Sequence, residues 1–118
     1  MKTLIALLLL TTAAHAAGRS LPPQLILPPV EFDKPYTGPL VELRVDSAED
    51  LKIKCNNPFS PPAIPLACAF PMTQSCVIIL VSDDAIRAAG YEPDHVRRHE
   101  IGHCNGWSKT HPNPRWTK

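Results

Sequence analysis

The sequence predicts a small α+β domain in which a short β-sheet packs on a helix. Three features predict this fold class. A run rich in β-branched residues at 76–81 is typical of a buried strand. Residues 93–104 begin and end with residues that are typical of helix ends. Four cysteines can supply two disulfides to a domain whose core is small.

The first sixteen residues have the features of a secretory signal peptide. Lys2 supplies a positive charge, residues 4–10 form an unbroken apolar run, and Ala14-His15-Ala16 is a small-residue cleavage site. The run is too short for a membrane-spanning helix, which needs about 20 apolar residues. We therefore expect a secreted or periplasmic protein that is cut after Ala16 and has no membrane span after this cleavage.

The balance of positive and negative charges argues against a nucleic-acid partner. The chain has 12 lysines and arginines against 11 acidic residues, so removal of Lys2 leaves 11 against 11 and no net charge. Proteins that bind nucleic acids or membrane surfaces rely on an excess of basic residues. We therefore expect no nucleic-acid partner.

The four cysteines, at positions 55, 68, 76 and 104, predict two disulfides in an exported chain. A zinc site with four thiolates fits poorly, because no two of them have the spacing CxxC. The favoured pairs are Cys55–Cys68, which would close a proline-rich loop, and Cys76–Cys104, which would join a strand to a helix. The other two connectivities stay open.

The segment 17–39 is expected to be an extended, proline-rich arm ahead of a domain at 40–118. Its proline pairs Pro22-Pro23 and Pro28-Pro29 do not favour helix. The arm can be a stalk, a propeptide or a segment packed along the domain, and the last of these is favoured.

The first elements of the domain are predicted from alternation and from prolines. Val41–Val45 alternates apolar and polar residues, as a half-buried strand does, and residues 47–53 are consistent with either a short helix or a turn. Prolines predict a loop over Asn56–Pro71. The apolar run at 76–81 predicts a central strand that is buried on both faces.

Two helices are predicted next. Ser82 can cap a short helix that Gly90 ends. Pro93 suits the first position of a second helix, which runs to about Cys104 and stops at Gly106. The tail beyond residue 107 contains two prolines and is expected to be irregular.

The second helix carries a pattern that is typical of a catalytic zinc site. His99 and His103 are four residues apart, so both imidazoles leave one face of the helix. Two nitrogens at this spacing can bind one zinc ion at about 2.0–2.1 Å each. Glu100 is the next residue around the helix and can accept a proton from a zinc-bound water that attacks a carbonyl. The pattern H-E-x-x-H on a helix is associated with this chemistry.

A third ligand is needed, because catalytic zinc usually has three protein ligands and an open position. The favoured candidate is His111, which follows His103 by eight residues and lies beyond the turn expected at Gly106. His95, one helical turn before His99, is the alternative ligand.

The string HEIGHCNGW at residues 99–107 resembles the zincin metallopeptidases, in particular the metzincin-like pattern HExxHxxGxxH. It is also similar to the motif of short exported bacterial proteins. Gly106 stands at the glycine of the pattern, whereas the third histidine of the pattern would fall at Lys109, and no methionine follows the motif. The resemblance implies a minimal zincin-like domain, with zinc bound by His99, His103 and His111 and with Glu100 as the catalytic base.

Motif and resemblance together predict a zinc metalloendopeptidase that hydrolyses a peptide or protein substrate. One alternative is a non-catalytic zinc-binding exported or envelope protein, and another is a disulfide-stabilised secreted domain without a metal. Zincins bind extended peptides along an edge strand, and the resemblance makes Val41–Val45 the candidate edge. Tyr91 is a candidate donor to the oxyanion, while Trp107 and Trp116 are expected to be packing residues.

Overall fold

The computed structural model describes residues 25–56 and 66–117. In this part of the chain the elements follow in the order β1 (Ile26–Leu27), β2 (Leu40–Val45), α1 (Ala48–Cys55), β3 (Ala67–Pro71), β4 (Cys76–Val81), α2 (Asp83–Ala88), α3 (Pro93–Cys104) and β5 (Arg115–Trp116). The fold class is α+β, as the sequence predicts. The expected signal peptide at 1–16 and the first part of the expected arm lie outside the described residues. No helix within the two described ranges is long and apolar enough to cross a membrane.

Strand β4 lies in the middle of a three-stranded sheet of order β2-β4-β3. It pairs in parallel with β2 and antiparallel with β3. All of its residues except Val77 are buried. The predicted central strand is therefore confirmed, and a continuous apolar run is what a strand buried on both faces needs.

The two disulfides attach a helix to each face of this sheet. Cys55 at the end of α1 bonds to Cys68 in β3, and Cys76 in β4 bonds to Cys104 at the end of α3. Cys68 stands opposite Ile79, which is three residues from Cys76, so the two cysteines in the sheet point to opposite faces. Both predicted pairs are confirmed, and each contributes roughly 3–4 kcal/mol by restricting the unfolded chain. Two disulfides are consistent with an extracellular location.

Strand β3 is not predicted from the sequence. The prediction of a loop over Asn56–Pro71 is wrong for its last part, because Ala67–Pro71 is a strand. This segment has alanines in place of β-branched residues, so its own preference for a strand is weak. Pairing with β4 over its whole length and the disulfide at Cys68 stabilise it. Residues 57–65 lie outside the described part of the chain.

The helix ends follow from local hydrogen-bond chemistry. The side chain of Ser47 accepts a hydrogen bond from the amide of Asp50, so the ambiguous segment after β2 is a helix. Ser82 caps α2 in the same way. Pro93 stands in the first turn of α3, and Gly106 follows its end, as predicted.

The start and the end of the described chain meet beside α3. Strand β1 pairs antiparallel with β5, so the prediction of an irregular tail is wrong for Arg115–Trp116, which form a short strand. Leu27 and Pro28, within the segment expected to be an arm, are buried. Residues 25–39 contain no helix, as the prolines predict.

Candidate metal centre

Helix α3 carries three of the four predicted site residues in its C-terminal half. His99, Glu100 and His103 lie within Pro93–Cys104, and the two imidazoles are one turn apart. Beyond the helix the chain turns at Gly106, whose φ of 104° favours glycine. A second turn, closed by a hydrogen bond from the amide of His111 to a carbonyl three residues earlier, brings His111 to the two helical histidines.

The three histidines meet at their Nε2 atoms. These atoms are 3.3 Å apart between His99 and His103, and that of His111 lies 3.2 Å from each of the others. Three nitrogens that bind one ion tetrahedrally at about 2.0–2.1 Å are roughly 3.3–3.4 Å apart. The nitrogen triangle therefore has the size that a metal ion needs. Among the described residues it is the one group of three or more side chains placed to bind a metal.

Backbone carbonyls fix which nitrogen of each helical histidine carries the proton. Nδ1 of His99 lies 2.7 Å from the carbonyl oxygen of Ile26, and Nδ1 of His103 lies 2.8 Å from that of Trp107. A carbonyl oxygen only accepts, so each Nδ1–H donates and each neutral imidazole keeps its lone pair at Nε2. The two lone pairs face each other, and no hydrogen bond joins them. A bound cation removes this conflict, and such carbonyl partners are typical of metal-binding histidines.

The indole of Trp107 packs against all three histidines. Its ring centre lies 5.1 Å from that of His99 and 4.9 Å from those of His103 and His111. Trp107 is 2% exposed, and its indole N–H donates to the carbonyl of Pro112. The prediction that Trp107 is a packing residue is confirmed, and its contacts restrict the movement of each imidazole.

The surroundings keep the histidines neutral near pH 7. Burial lowers the pKa of His99 to about 4, because the charged imidazolium would lose its hydration. Burial also lowers the pKa values of His103 and His111. Neutral imidazole is the form that binds a metal, so the site does not have to lose protons first.

Glu100 lies beside the histidines and is nearly buried. It is 7% exposed and lines the same cavity as the three imidazoles. Burial raises its pKa to about 8, because the carboxylate loses its hydration. Without a metal this carboxyl is therefore mostly protonated near pH 7, and a cation on the histidines would favour the carboxylate, which is the form that can act as a general base.

Asp33 joins three segments around the site. Its carboxylate accepts hydrogen bonds of 2.5 and 3.0 Å from Arg98, the neighbour of His99 on α3, and another from Arg115 in β5. The hydrogen bonds from Arg98, and to a smaller extent the one from Arg115, hold the pKa of Asp33 below its usual range. These ion pairs therefore connect the segment before β2, the motif helix and the C-terminal strand.

The segment before β2 also explains a glycine within the motif. A Cβ atom at Gly102 would lie 2.7 Å from Cβ and Cγ of Pro28, so only glycine lets this proline approach the helix. The side-chain amide of Asn105 holds the same segment through two backbone carbonyls. Close packing here keeps the carbonyl of Ile26 at His99. The segment before β2 therefore helps to hold the histidines in place. Nothing in the pattern of side chains predicts this role.

A cavity of about 470 Å³ opens beside the histidines. One part of its wall comes from the motif helix and the following turn and consists of His99, Glu100, His103, Lys109 and His111. The other part comes from the end of α1 and from β3 and consists of Cys55, Asn56, Ala67, Cys68, Ala69 and Phe70. The candidate metal centre is therefore open to a molecule in this cavity.

Strand β3 is the edge strand beside this cavity. The carbonyl of Leu66 accepts from the amide of Val81 in β4, and backbone groups alternate in direction along a strand. The amides and carbonyls of Ala67 and Ala69 therefore point away from β4, to the side on which no other strand of the described residues pairs with β3. Val41–Val45 is also at an edge, but none of its residues lines the cavity, so it is not the edge beside the site.

The structure brings the four predicted site residues together and places the two other candidates, His95 and Tyr91, elsewhere. Among the described residues, His95 neither joins the group of metal-binding side chains nor lines the cavity. Tyr91 packs against the apolar core, away from the cavity wall. Trp116 is 61% exposed, so its prediction as a packing residue is wrong.

Comparison of the chain with protein-family profiles, curated proteins and solved structures gives no match. The function is therefore inferred from the site itself. Three imidazoles direct one nitrogen each to a common point, and a carboxyl group and open space lie beside them. Such a donor set can hold a metal ion and leave room for a substrate.

Proposed function

We propose that this protein is a zinc-dependent metallopeptidase of the zincin type. The observation that carries the proposal is the triangle of Nε2 atoms, 3.2–3.3 Å on each side, in one cavity with a buried glutamate. Three imidazoles leave one tetrahedral position free, as in catalytic rather than structural zinc sites. No fourth metal-binding side chain joins the group among the described residues.

Zinc suits this donor set better than the other abundant divalent ions. Magnesium and calcium prefer oxygen ligands, whereas imidazole nitrogens suit zinc, copper, iron and nickel. The spacing of the three nitrogens also matches the tetrahedral geometry that zinc adopts. The resemblance of residues 99–107 to the zincins supports the same choice.

Glu100 is the proposed general base for peptide hydrolysis. A bound zinc ion would polarise the scissile carbonyl and lower the pKa of a bound water to about 7. Glu100 takes the proton of the attacking water and passes it to the nitrogen of the leaving amine. His99 and His103 are held in orientation by backbone carbonyls, so the site needs little rearrangement during the reaction.

Strand β3 is the proposed binding edge for the peptide. An extended peptide can pair with the outward amides and carbonyls of Ala67 and Ala69, and this main-chain pairing supplies affinity. Both side chains are small and leave space in the cavity. Because pairing needs an accessible peptide backbone, we expect flexible peptides and unfolded segments to be better substrates than folded proteins.

The proposed place of action is outside the cytosol. The signal peptide expected at residues 1–16 would export the chain. Two disulfides agree with an oxidising compartment.

Two matched variants test the peptidase proposal. We would load the purified wild type, Glu100→Gln and Glu92→Gln with one equivalent of zinc and follow cleavage of a broad peptide library by mass spectrometry. Glu92 lies at the start of the same helix and makes no side-chain capping bond, so it controls for the loss of a charge from α3. We expect Glu100→Gln to keep zinc and lose activity by roughly 10²–10⁴-fold, and Glu92→Gln to match the wild type.

Other outcomes separate the alternatives. Zinc binding without cleavage of any library peptide would contradict the peptidase and favour the non-catalytic zinc-binding exported or envelope protein. Equal cleavage by the wild type and Glu100→Gln would contradict the role of Glu100. A protein that binds no zinc would contradict both zinc proposals.

A further inference from the structure

Lys109 is the one lysine or arginine among the described residues that line the cavity. It stands in the turn between Trp107 and His111, and its side chain is exposed. Within the described residues its ammonium group makes no ion pair with an acidic side chain. Its positive charge is therefore available at the cavity.

Neither metal binding nor helix stability accounts for a positive charge at this position. A cation beside a metal site opposes the binding of the metal ion. Lys52 and Lys54, by comparison, lie in the last turn of α1, where the helix dipole favours a positive charge. Lys109 lies outside any helix, so it has no such partner. An anion in the cavity would supply one.

The other groups around the cavity strengthen this preference for an anion. Glu100 is the one acidic residue of the described cavity wall, and it is nearly buried in that wall. A metal ion on the three histidines would add two positive charges on the same side. The cavity therefore attracts a negative group on whatever molecule enters it.

We propose that Lys109 binds a carboxylate of the substrate, so that the site selects peptides with a negative charge near the bond to be cut. The inference rests on the proposed peptide-binding function and adds the class of substrate. The lysine ammonium is a compact charge on a flexible stem, so it reaches a carboxylate without a fixed bidentate geometry. The carboxylate can be the C-terminus of a peptide or the side chain of an aspartate or glutamate, and both form the same ion pair.

The test measures binding without cleavage. The zinc-loaded Glu100→Gln protein is compared with versions that also carry Lys109→Met, Lys109→Arg or Lys52→Met, using fluorescence anisotropy of labelled peptides. One peptide pair differs only in a free or amidated C-terminus, and a second, amidated pair differs only in an internal glutamate or glutamine. Lys52 is exposed on α1 and does not line the cavity, so Lys52→Met controls for loss of a surface charge.

We expect Lys109→Met to weaken binding of the carboxylate peptides by roughly fivefold and to leave the neutral peptides unchanged. Lys109→Arg should keep most of the preference, and Lys52→Met all of it. The peptide pair that responds identifies the source of the carboxylate. Equal binding of charged and neutral peptides, an equal loss in Lys52→Met, or no peptide binding at all would overturn the inference.

The result is separable from that of the peptidase test. Carboxylate binding that depends on Lys109 in a protein that cleaves nothing would contradict the peptidase and leave the binding inference standing. Cleavage by the wild type without any preference for charged peptides would support the peptidase and overturn the role of Lys109.

Discussion

Two groups of polar side chains in this domain are built in opposite ways. The histidine cluster consists of His99, His103 and His111 at the end of α3. The β2 ion pairs are formed by Glu42, Arg44, Asp83 and Arg97, which join β2 to α2 and α3. In the ion pairs each charge has an opposite charge within 3.1 Å, and the side chains are 29–49% exposed. In the histidine cluster three groups of the same kind converge, and the Nε2 lone pairs of the two helical histidines face each other.

The difference separates a group whose charges are paired within the protein from a group that could bind a metal ion. The β2 ion pairs are complete within the protein and are screened by solvent, so their contribution to stability is small. The histidine cluster is supported by Trp107 and by backbone carbonyls, and no cationic side chain of the described residues forms a hydrogen bond with its converging nitrogens. Support of this kind is typical of metal-binding histidines, and these three could bind a metal ion.

The largest effect on stability is expected for Glu100→Gln in metal-free protein. In the folded protein the pKa of Glu100 is about 8, above the ordinary value of 4.5. The stability of the protein with protonated Glu100 is therefore fully present below pH 4.5 and is lost as the pH rises towards 8. Glutamine does not ionise. We therefore expect Glu100→Gln to be more stable than the wild type at pH 8 by on the order of 2–4 kcal/mol and similar to it at pH 4.5, in urea unfolding with a chelator.

The same pair of proteins checks the link to the metal. A cation beside Glu100 favours the carboxylate, so zinc should reduce the difference at pH 8. A difference that is the same at both pH values would contradict the burial argument, since glutamine would then act through packing alone.

A smaller effect is expected for Asp33→Asn, which removes the charge that joins Arg98 and Arg115. Asp33 is 11% exposed, but both arginines are more exposed, so we expect a loss of roughly 1–3 kcal/mol at pH 7. The pKa of Asp33 is lowered, so its contribution is present above the ordinary value near 4 and is lost as the pH falls through the folded value. The difference between wild type and variant should therefore shrink in acid.

Asp94→Asn is the matched control for this variant. Asp94 also faces Arg98, but at 3.9 Å and with 75% of its side chain exposed. Thermal unfolding of both variants measures the contrast. Equal effects of the two substitutions would show that Asp33 is an ordinary surface charge.

The smallest effect is expected in the β2 ion pairs. Arg44→Gln removes ion pairs to Glu42 and Asp83, both at the surface, and a hydrogen bond to the backbone carbonyl of Val81. We expect a loss of no more than about 1 kcal/mol and an unchanged zinc affinity, measured by chemical unfolding and by competition with a zinc chelator. A loss of stability comparable to that of Asp33→Asn, or weaker zinc binding, would contradict the distinction between the β2 ion pairs and the histidine cluster.

Much of the candidate metal centre could be predicted because it depends on local sequence patterns. The spacing of His99 and His103 follows from helix geometry, and Pro93 and Gly106 mark the ends of that helix. The position of His111 depends on the turn after Gly106, so it could be predicted only as one of two candidates. His95 has the same helical spacing but does not join the cluster.

The rest could not be predicted because it depends on backbone groups and on distant pairing. A carbonyl such as that of Ile26 belongs to every residue type, so no pattern marks it as the partner of His99. Strand β3 depends on β4 and on a disulfide rather than on its own residues. For the same reason the clear alternating pattern of β2 makes it the edge that the sequence favours, although β3 is the strand that lines the cavity.

The most direct test of the account is zinc binding by the wild type, His111→Ala and His95→Ala. In a Trp116→Phe background Trp107 is the one remaining tryptophan, and its ring lies within 5.1 Å of each histidine ring, so its fluorescence reports on the site. We expect one zinc per chain in the wild type and in His95→Ala, and an affinity at least about 100-fold weaker in His111→Ala, which keeps two ligands. Equal affinities of His111→Ala and the wild type, or no zinc bound by the wild type, would contradict the three-histidine site.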